Sequence, residues 1–165
     1  MFKKIIETLG LQPHPEGGYF KETYRSEEII PQGVLPKDFE GSRNYCTSIY
    51  YLLQSGDFSA FHKIRQDEIW HFYIGSPIEL YMISEAGHLT KVRVGNDIVN
   101  GQIPQFIVPK NHWFAATVAE KDSFSLIGCT VSPGFDFKDF TLATREELVE
   151  MFPQHQDIIK TFTRQ

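Results

Sequence analysis

The chain has 165 residues, 41% of them hydrophobic and 14% aromatic, which supports one compact core over residues 1–165 and excludes a disordered chain. Sixteen Lys and Arg against twenty-one Asp and Glu give a net charge of -5, so no basic footprint exists for a phosphate backbone and no nucleic-acid polymer is expected as partner. Apolar runs such as Ser48 to Leu53 and Ile103 to Val108 fall far short of the roughly 20 residues that cross a bilayer, so no membrane partner is expected either.

The opening, Met1 to Leu11, carries two lysines and Glu7 and has too short an apolar run for a signal peptide, which points to the cytoplasm. Within it Phe2, Ile5, Ile6 and Leu9 recur at i, i+3, i+4 and i+7 ahead of Gly10, the pattern of a short amphipathic helix with a glycine stop. In the turn-rich Pro13-His14-Pro15-Glu16-Gly17-Gly18, His14 and Glu16 read as solvated turn residues or as binding groups carried on a loop. Tyr19 to Arg25 reads as a strand, and Ile30 to Asn44, with two Pro and two Gly, as a loop. Further strands are predicted at Cys46 to Leu53, Phe58 to Lys63, Glu68 to Ile74, Ile78 to Ile83, Leu89 to Val94, Gln105 to Val108, Trp113 to Val118 and Ser125 to Val131. Many short strands without intervening helices predict a mainly β fold, an antiparallel sandwich or jelly roll. After Pro133-Gly134, Asp136 and Asp139 read as loop decoration. Thr144 and Glu147 then form a capping box for a helix with Leu148, Met151 and Phe152 on its apolar face, and Ile158, Ile159 and Phe162 predict a second helix after Pro153. Cys46 and Cys129 are too few and too far apart for a disulfide framework or zinc knuckle and read as buried thiols.

The densest polar cluster in β-patterned sequence runs from Gly56 to Gly75. Alternation groups His62 with Ala60 and Ile64 on one strand, and Glu68 with Trp70 and Phe72 on the next. A hairpin pairing of the two strands would bring His62 and Glu68 into one interior. Glu22 shares parity with Phe20 and Tyr24, so it faces either the cavity or an exposed edge. Tyr50 shares a face with Ser48 and Leu52, opposite Ile49 and Tyr51, and alternation leaves open which face is interior. Trp70 and Trp113 read as core aromatics or as stacking walls for a sugar or base. There is no Gly-x-Gly-x-x-Gly, P-loop, Gly-x-Ser-x-Gly elbow or paired Cys-x-x-Cys, so dinucleotide enzymes, NTPases, α/β-hydrolases and zinc ribbons lack support.

The spacing of Gly56, His62, Ile64, Glu68 and Gly75 resembles the first motif of the cupins, with Ile64 where that family has a metal-binding His. Val108-Pro109-Lys110-Asn111-His112-Trp113-Phe114 resembles the second motif, with Asn111 at the family's Gly and Phe114 at its metal-binding His. The opening Leu11-Gln12-Pro13-His14-Pro15-Glu16-Gly17-Gly18-Tyr19-Phe20 and the segment Gly128 to Phe135 resemble a little-characterised group of small cupins, over roughly Leu9 to Phe152. The resemblance implies a double-stranded β-helix jelly roll with a short N-terminal helix and C-terminal helices, a ligand cavity in its mouth, and a homodimer. It does not imply a particular reaction; by analogy with the metal-free sugar epimerases among the cupins, the expected partner is a small polar metabolite, a carbohydrate or nucleotide-sugar, and the expected chemistry a metal-independent isomerisation or epimerisation. His62 would be the general base or acid, Glu68 its orienting carboxylate and Tyr50 or Tyr73 the acid, Tyr50 being the one preferred; Glu16, Tyr19, Glu22, Trp70 and Phe114 would bind substrate. No cofactor is expected. The alternatives are a divalent-metal enzyme using His62, Glu68 and His112, the last displaced by roughly 6.5 Å from the family's ligand position, and a noncatalytic binding module.

Overall fold

The computed structural model describes residues 1–164, numbered here along the chain as strands β1–β13 and helices α1–α3. Six strands form one antiparallel sheet: β1 (Gln12–Pro13), β2 (Tyr19–Arg25), β5 (Thr47–Gln54), β12 (Phe124–Ser132), β7 (Asp67–Gly75) and β10 (Gln105–Val108), in that spatial order. The facing sheet runs β13 (Thr141–Leu142), β6 (Phe58–Lys63), β11 (Trp113–Val118), β8 (Ile78–Ile83) and β9 (Leu89–Val94). From β5 to β8 the chain alternates between the two sheets, the jelly-roll path. The strands expected at Tyr19–Arg25, Phe58–Lys63, Ile78–Ile83, Leu89–Val94, Gln105–Val108 and Trp113–Val118 form over those residues, and the other three differ by one residue at each end. The predicted loop from Ile30 to Asn44 is partly paired at its ends, as β3 (Ile29–Ile30) against β4 (Arg43–Asn44).

The strands carrying His62 and Glu68 are consecutive but do not form the expected hairpin, because β6 and β7 lie in opposite sheets. The side-chain parity survives, so both residues still point inward, from facing walls of the sandwich.

Three apolar clusters hold the layers together. Between the sheets lie Tyr51, Trp70, Leu80, Phe114 and Ile127. Against the outer face of the five-stranded sheet, Phe61, Ile83 and Trp113 pack on Leu148, Phe152, Ile159 and Phe162 from α2 (Arg145–Met151), α3 (Gln156–Thr161) and the residues that follow each. On the outer face of the six-stranded sheet, α1 (Phe2–Leu9) lays Phe2, Ile5, Ile6 and Leu9 on Leu11, Leu52 and Leu126. With both helical ends of the chain occupied on the outside, one end of the inter-sheet space is left for a cavity.

Candidate functional site

That cavity has a volume of about 310 Å³ and is walled largely by aromatic rings, among them Phe20, Tyr51, Trp70, Phe135 and Phe140. Besides Asp136 from the segment after β12, its polar groups come from three places. The loop between β1 and β2 supplies His14 and Glu16, β6 supplies His62, and the six-stranded sheet supplies Glu68 and Cys129, with Glu22 and Arg25 also in the lining.

The β1–β2 loop reaches across to the opposite sheet. The Glu16 carbonyl accepts from the Ala60 N–H at 2.8 Å, the Gly18 N–H donates to Asp57 at 3.1 Å, and the Tyr51 hydroxyl donates to the Gly17 carbonyl at 2.7 Å. Gly17 and Gly18 have φ of 115° and 72°, and a Cβ on Gly17 would collide with the Phe58 carbonyl. Glycine is therefore required for the loop to lie this close to β6. The contact buries Glu16, which sequence alone left open as a solvated turn residue; it is 6% exposed.

Glu16 and His62 form a buried pair, with His62 Nε2 2.9 Å from the Glu16 carboxylate. The other ring nitrogen, Nδ1, lies 2.7 Å from the Ala60 carbonyl oxygen. The Ala60 carbonyl can only accept, so Nδ1 carries a proton; with Glu16 ionised, Nε2 donates as well and His62 is an imidazolium. Burial alone would lower its pKa, but the charge and hydrogen bond of Glu16, with smaller help from Glu68 and Ala60, raise it. Burial would likewise raise Glu16, yet His62, His14 and the Ser59 hydroxyl, which donates at 2.9 Å, bring it down to about 2.

Glu68 behaves oppositely. It is buried in the facing wall and accepts one hydrogen bond, from Trp70 Nε1 at 2.9 Å. Burial pushes its pKa up and outweighs the downward pull of His62, the Glu16 charge adds a smaller upward push, and Cys129 and Trp70 give the smallest downward pulls. The site thus holds one fixed ion pair and one carboxyl poised to change its proton. Cys129, whose Cα pairs with Trp70 across the sheet, is held as a thiol by burial and by Glu68.

The remaining expected residues separate into two groups. Glu22 and Trp70 line the cavity, and a bulge between Glu22 and Tyr24 brings Arg25 onto the same side, where it binds Glu22 through two hydrogen bonds of 2.9 and 2.8 Å. Tyr50, Tyr19, Phe114 and His112 do not line it. Tyr50 sits on the outer face against Tyr73 and the α1 cluster, since Ile49 and Tyr51 take the inner face. Tyr51 is no ready acid either: its hydroxyl is already donating, and burial with the Glu16 charge raises its pKa well above the ordinary value. Tyr19 packs edge-on against Phe2 of α1. Phe114 lies beneath His62, ring centres 4.0 Å apart, as core. Trp113 is outside the cavity, in the helix-facing core beneath Lys63.

A divalent ion at the cupin ligand positions does not fit these residues. Two positions are Ile64 and Phe114, and His62 has both nitrogens engaged as donors. His112 is directed to the Lys110 carbonyl instead of the cavity. Asn111 has a φ of 61°, so it takes the left-handed turn that the second motif fills with glycine, but the turn does not carry His112 inward.

Arg25, Cys129 and Asp136 are cavity residues that sequence reading did not assign to the site. Alternation did carry a signal for Cys129, which shares parity with the inward Ile127 and Val131. Arg25 had none, because the bulge breaks alternation. Asp139, expected as loop decoration, is buried and accepts from Arg43 at 2.7 and 2.6 Å and from Gln66 at 2.7 Å, anchoring the Phe135–Phe140 segment of the cavity wall.

A solved protein from Shewanella oneidensis is 41% identical to this chain, with a TM-score of 0.87 over 98% of this chain and 96% of that one. A hypothetical protein from Leishmania major is 32% identical, TM-score 0.89, over 99% and 98%. An uncharacterised protein of Saccharomyces cerevisiae is 32% identical over 154 residues, covering 88% of this chain and 76% of the relative. Oxalate decarboxylase from Bacillus subtilis shares the fold alone, at 13% identity and a TM-score of 0.55 over 91% of this chain and 36% of that one. Residues 3–143 match the family described as Cupin superfamily (DUF985), and the chain belongs to that family.

Proposed function

We propose that the cavity binds a small polar metabolite about the size of one sugar ring and moves a proton on it, with Glu68 as the acid and base of an isomerisation or epimerisation. The observation that carries this reading is a carboxyl with a raised pKa buried in an aromatic-lined cavity, opposite an imidazolium that has no free nitrogen. The base is then Glu68, and the Glu16–His62 pair serves as a fixed polar floor. Aromatic walls suit the C–H face of a sugar ring, and buried polar groups suit its hydroxyls. The volume lies at the lower end of the roughly 300–1,000 Å³ common for small-molecule pockets, so the sugar of a nucleotide-sugar fits inside and its nucleotide does not.

Incubation in deuterium oxide with a panel of aldoses, ketoses and nucleotide-sugars, followed by mass spectrometry, tests this reading. Deuterium incorporation into one substrate class is expected, with a loss of about 100-fold or more in Glu68→Gln. Saturable binding without exchange would instead favour a noncatalytic module, and undiminished exchange in Glu68→Gln would remove Glu68 from the chemistry.

A further inference from the structure

We infer that His14 donates a hydrogen bond to a carbonyl oxygen of the ligand, so that the substrate is an aldehyde or ketone with an exchangeable hydrogen on the neighbouring carbon. This rests on the reading of Glu68 as the proton carrier and adds the other half of the reaction.

The His14 side chain is only 8% exposed and lines the cavity. Its ring is enclosed by aromatic neighbours, with Phe20 edge-on at 4.7 Å between centres and Phe140 at 6.0 Å. The Glu16 backbone N–H donates to Nδ1 at 3.3 Å. A nitrogen that accepts carries no proton, so in the neutral ring the proton sits on Nε2. Nε2 has no hydrogen-bond partner among the described residues. The Glu16 carboxylate is 3.5 Å from Nδ1, too far to reverse that assignment by a strong hydrogen bond. Burial keeps His14 neutral by lowering its pKa, and the His62 charge works in the same direction against Glu16.

The donor belongs to a side chain only 8% exposed that lines the cavity, and no described residue accepts from it, so an oxygen on whatever occupies that cavity is its natural acceptor. A neutral imidazole is well suited to that task, since it stabilises developing negative charge on oxygen without surrendering its proton beforehand. The step balances within the cavity. Ionised Glu68 takes the proton from the carbon beside the carbonyl; the C–H electron pair becomes the C=C bond, and the carbonyl π pair moves to the oxygen held by His14 Nε2–H. In an α-hydroxy aldehyde or ketone, Glu68 then returns the proton to the former carbonyl carbon while the hydroxyl proton of the first carbon passes to the former carbonyl oxygen, leaving a new carbonyl where the hydroxyl stood, with no other reactant consumed. Glu16 contributes twice, its N–H setting the tautomer of His14 and its carboxylate fixing His62.

The test uses the full chain labelled with 15N and glycolohydroxamate, a small mimic of an enediolate, as probe. Long-range 15N–1H spectra are expected to show His14 neutral near pH 7, unprotonated at Nδ1 and protonated at Nε2. The probe should move the Nε2 proton downfield, His14→Ala should weaken its binding by about 10-fold or more, and His14→Gln, which retains an N–H donor, should recover part of the loss. A proton on Nδ1, no probe binding, or equal affinity of wild type and His14→Ala would overturn the inference; the first of these needs no variant. Probe binding that is independent of His14, beside deuterium exchange that depends on Glu68, would remove the His14 role and leave the proton-transfer reading standing. Probe binding through His14 with no exchange on any substrate would remove the proton-transfer reading alone.

Discussion

Glu16 and His62 each make the other's charge tolerable in a place where burial opposes both. The His62 pKa is raised above its ordinary 6.5, so its share of stability is fully present below pH 6.5 and is lost as pH rises through the folded value. Glu16 is lowered from 4.5 to about 2, so its share is present above pH 4.5 and is lost as pH falls toward 2. The pair therefore supports the fold most fully between these limits, and urea denaturation across pH should show its contribution declining on both sides. Glu16→Gln is expected to cost about 3–5 kcal/mol near pH 6, because it leaves a buried imidazolium without its partner. Glu68 runs the other way. Its folded pKa is raised, so ionisation at neutral pH opposes folding, and Glu68→Gln should raise the melting temperature at pH 7 while abolishing exchange. A lower melting temperature would contradict a carboxyl held under strain for function. Of these residues His62, Glu68 and Trp70 were legible from strand parity. The burial of Glu16 was not, because it arises from a contact with Ser59 and His62, more than forty residues away.

Elements were more legible than their partners. The i, i+3, i+4, i+7 spacing gives α1, and the capping box gives the start of α2, where the Thr144 hydroxyl donates to the Glu147 carboxylate at 2.7 Å and accepts from its N–H at 3.4 Å. Thr144→Ala should cost about 0.5–2 kcal/mol, read from urea midpoints, with no effect on ligand binding. Periodicity also yields most strand bounds, since the local alternation and turn residues are strong. It does not say which sheet receives each strand, which is why β6 and β7 looked like a hairpin. Nor does it choose the inner face of β5: Ile49-Tyr50-Tyr51-Leu52 is apolar on both faces because α1 covers the outer one. The β1–β2 loop makes the sharpest demand on sequence. Gly17→Ala should displace it from β6 and release Glu16 from His62, seen as loss of the doubly protonated His62 signals at neutral pH.

Across the whole molecule the sandwich keeps its outer faces packed with helices and its inner space open at one end. The buried Arg43–Asp139 pair, with Gln66, ties the cavity wall to the body of the fold. Asp139→Ala leaves Arg43 buried and unpaired and is expected to cost about 3–5 kcal/mol, with ligand affinity falling in parallel. The described helices include none long and apolar enough to cross a membrane. The cavity divides two roles between two carboxyl groups: the loop-borne Glu16 uses its charge to fix His62, and Glu68 on the facing wall keeps its proton exchangeable. The most direct test is an NMR titration of the full chain carrying 13C-labelled glutamate and 15N-labelled histidine. His62 should be protonated on both nitrogens at pH 7, Glu16 should stay ionised down to about pH 2, and Glu68 should titrate above the ordinary 4.5. A free nitrogen on His62 at pH 7, or a Glu68 that titrates at or below 4.5, would contradict it.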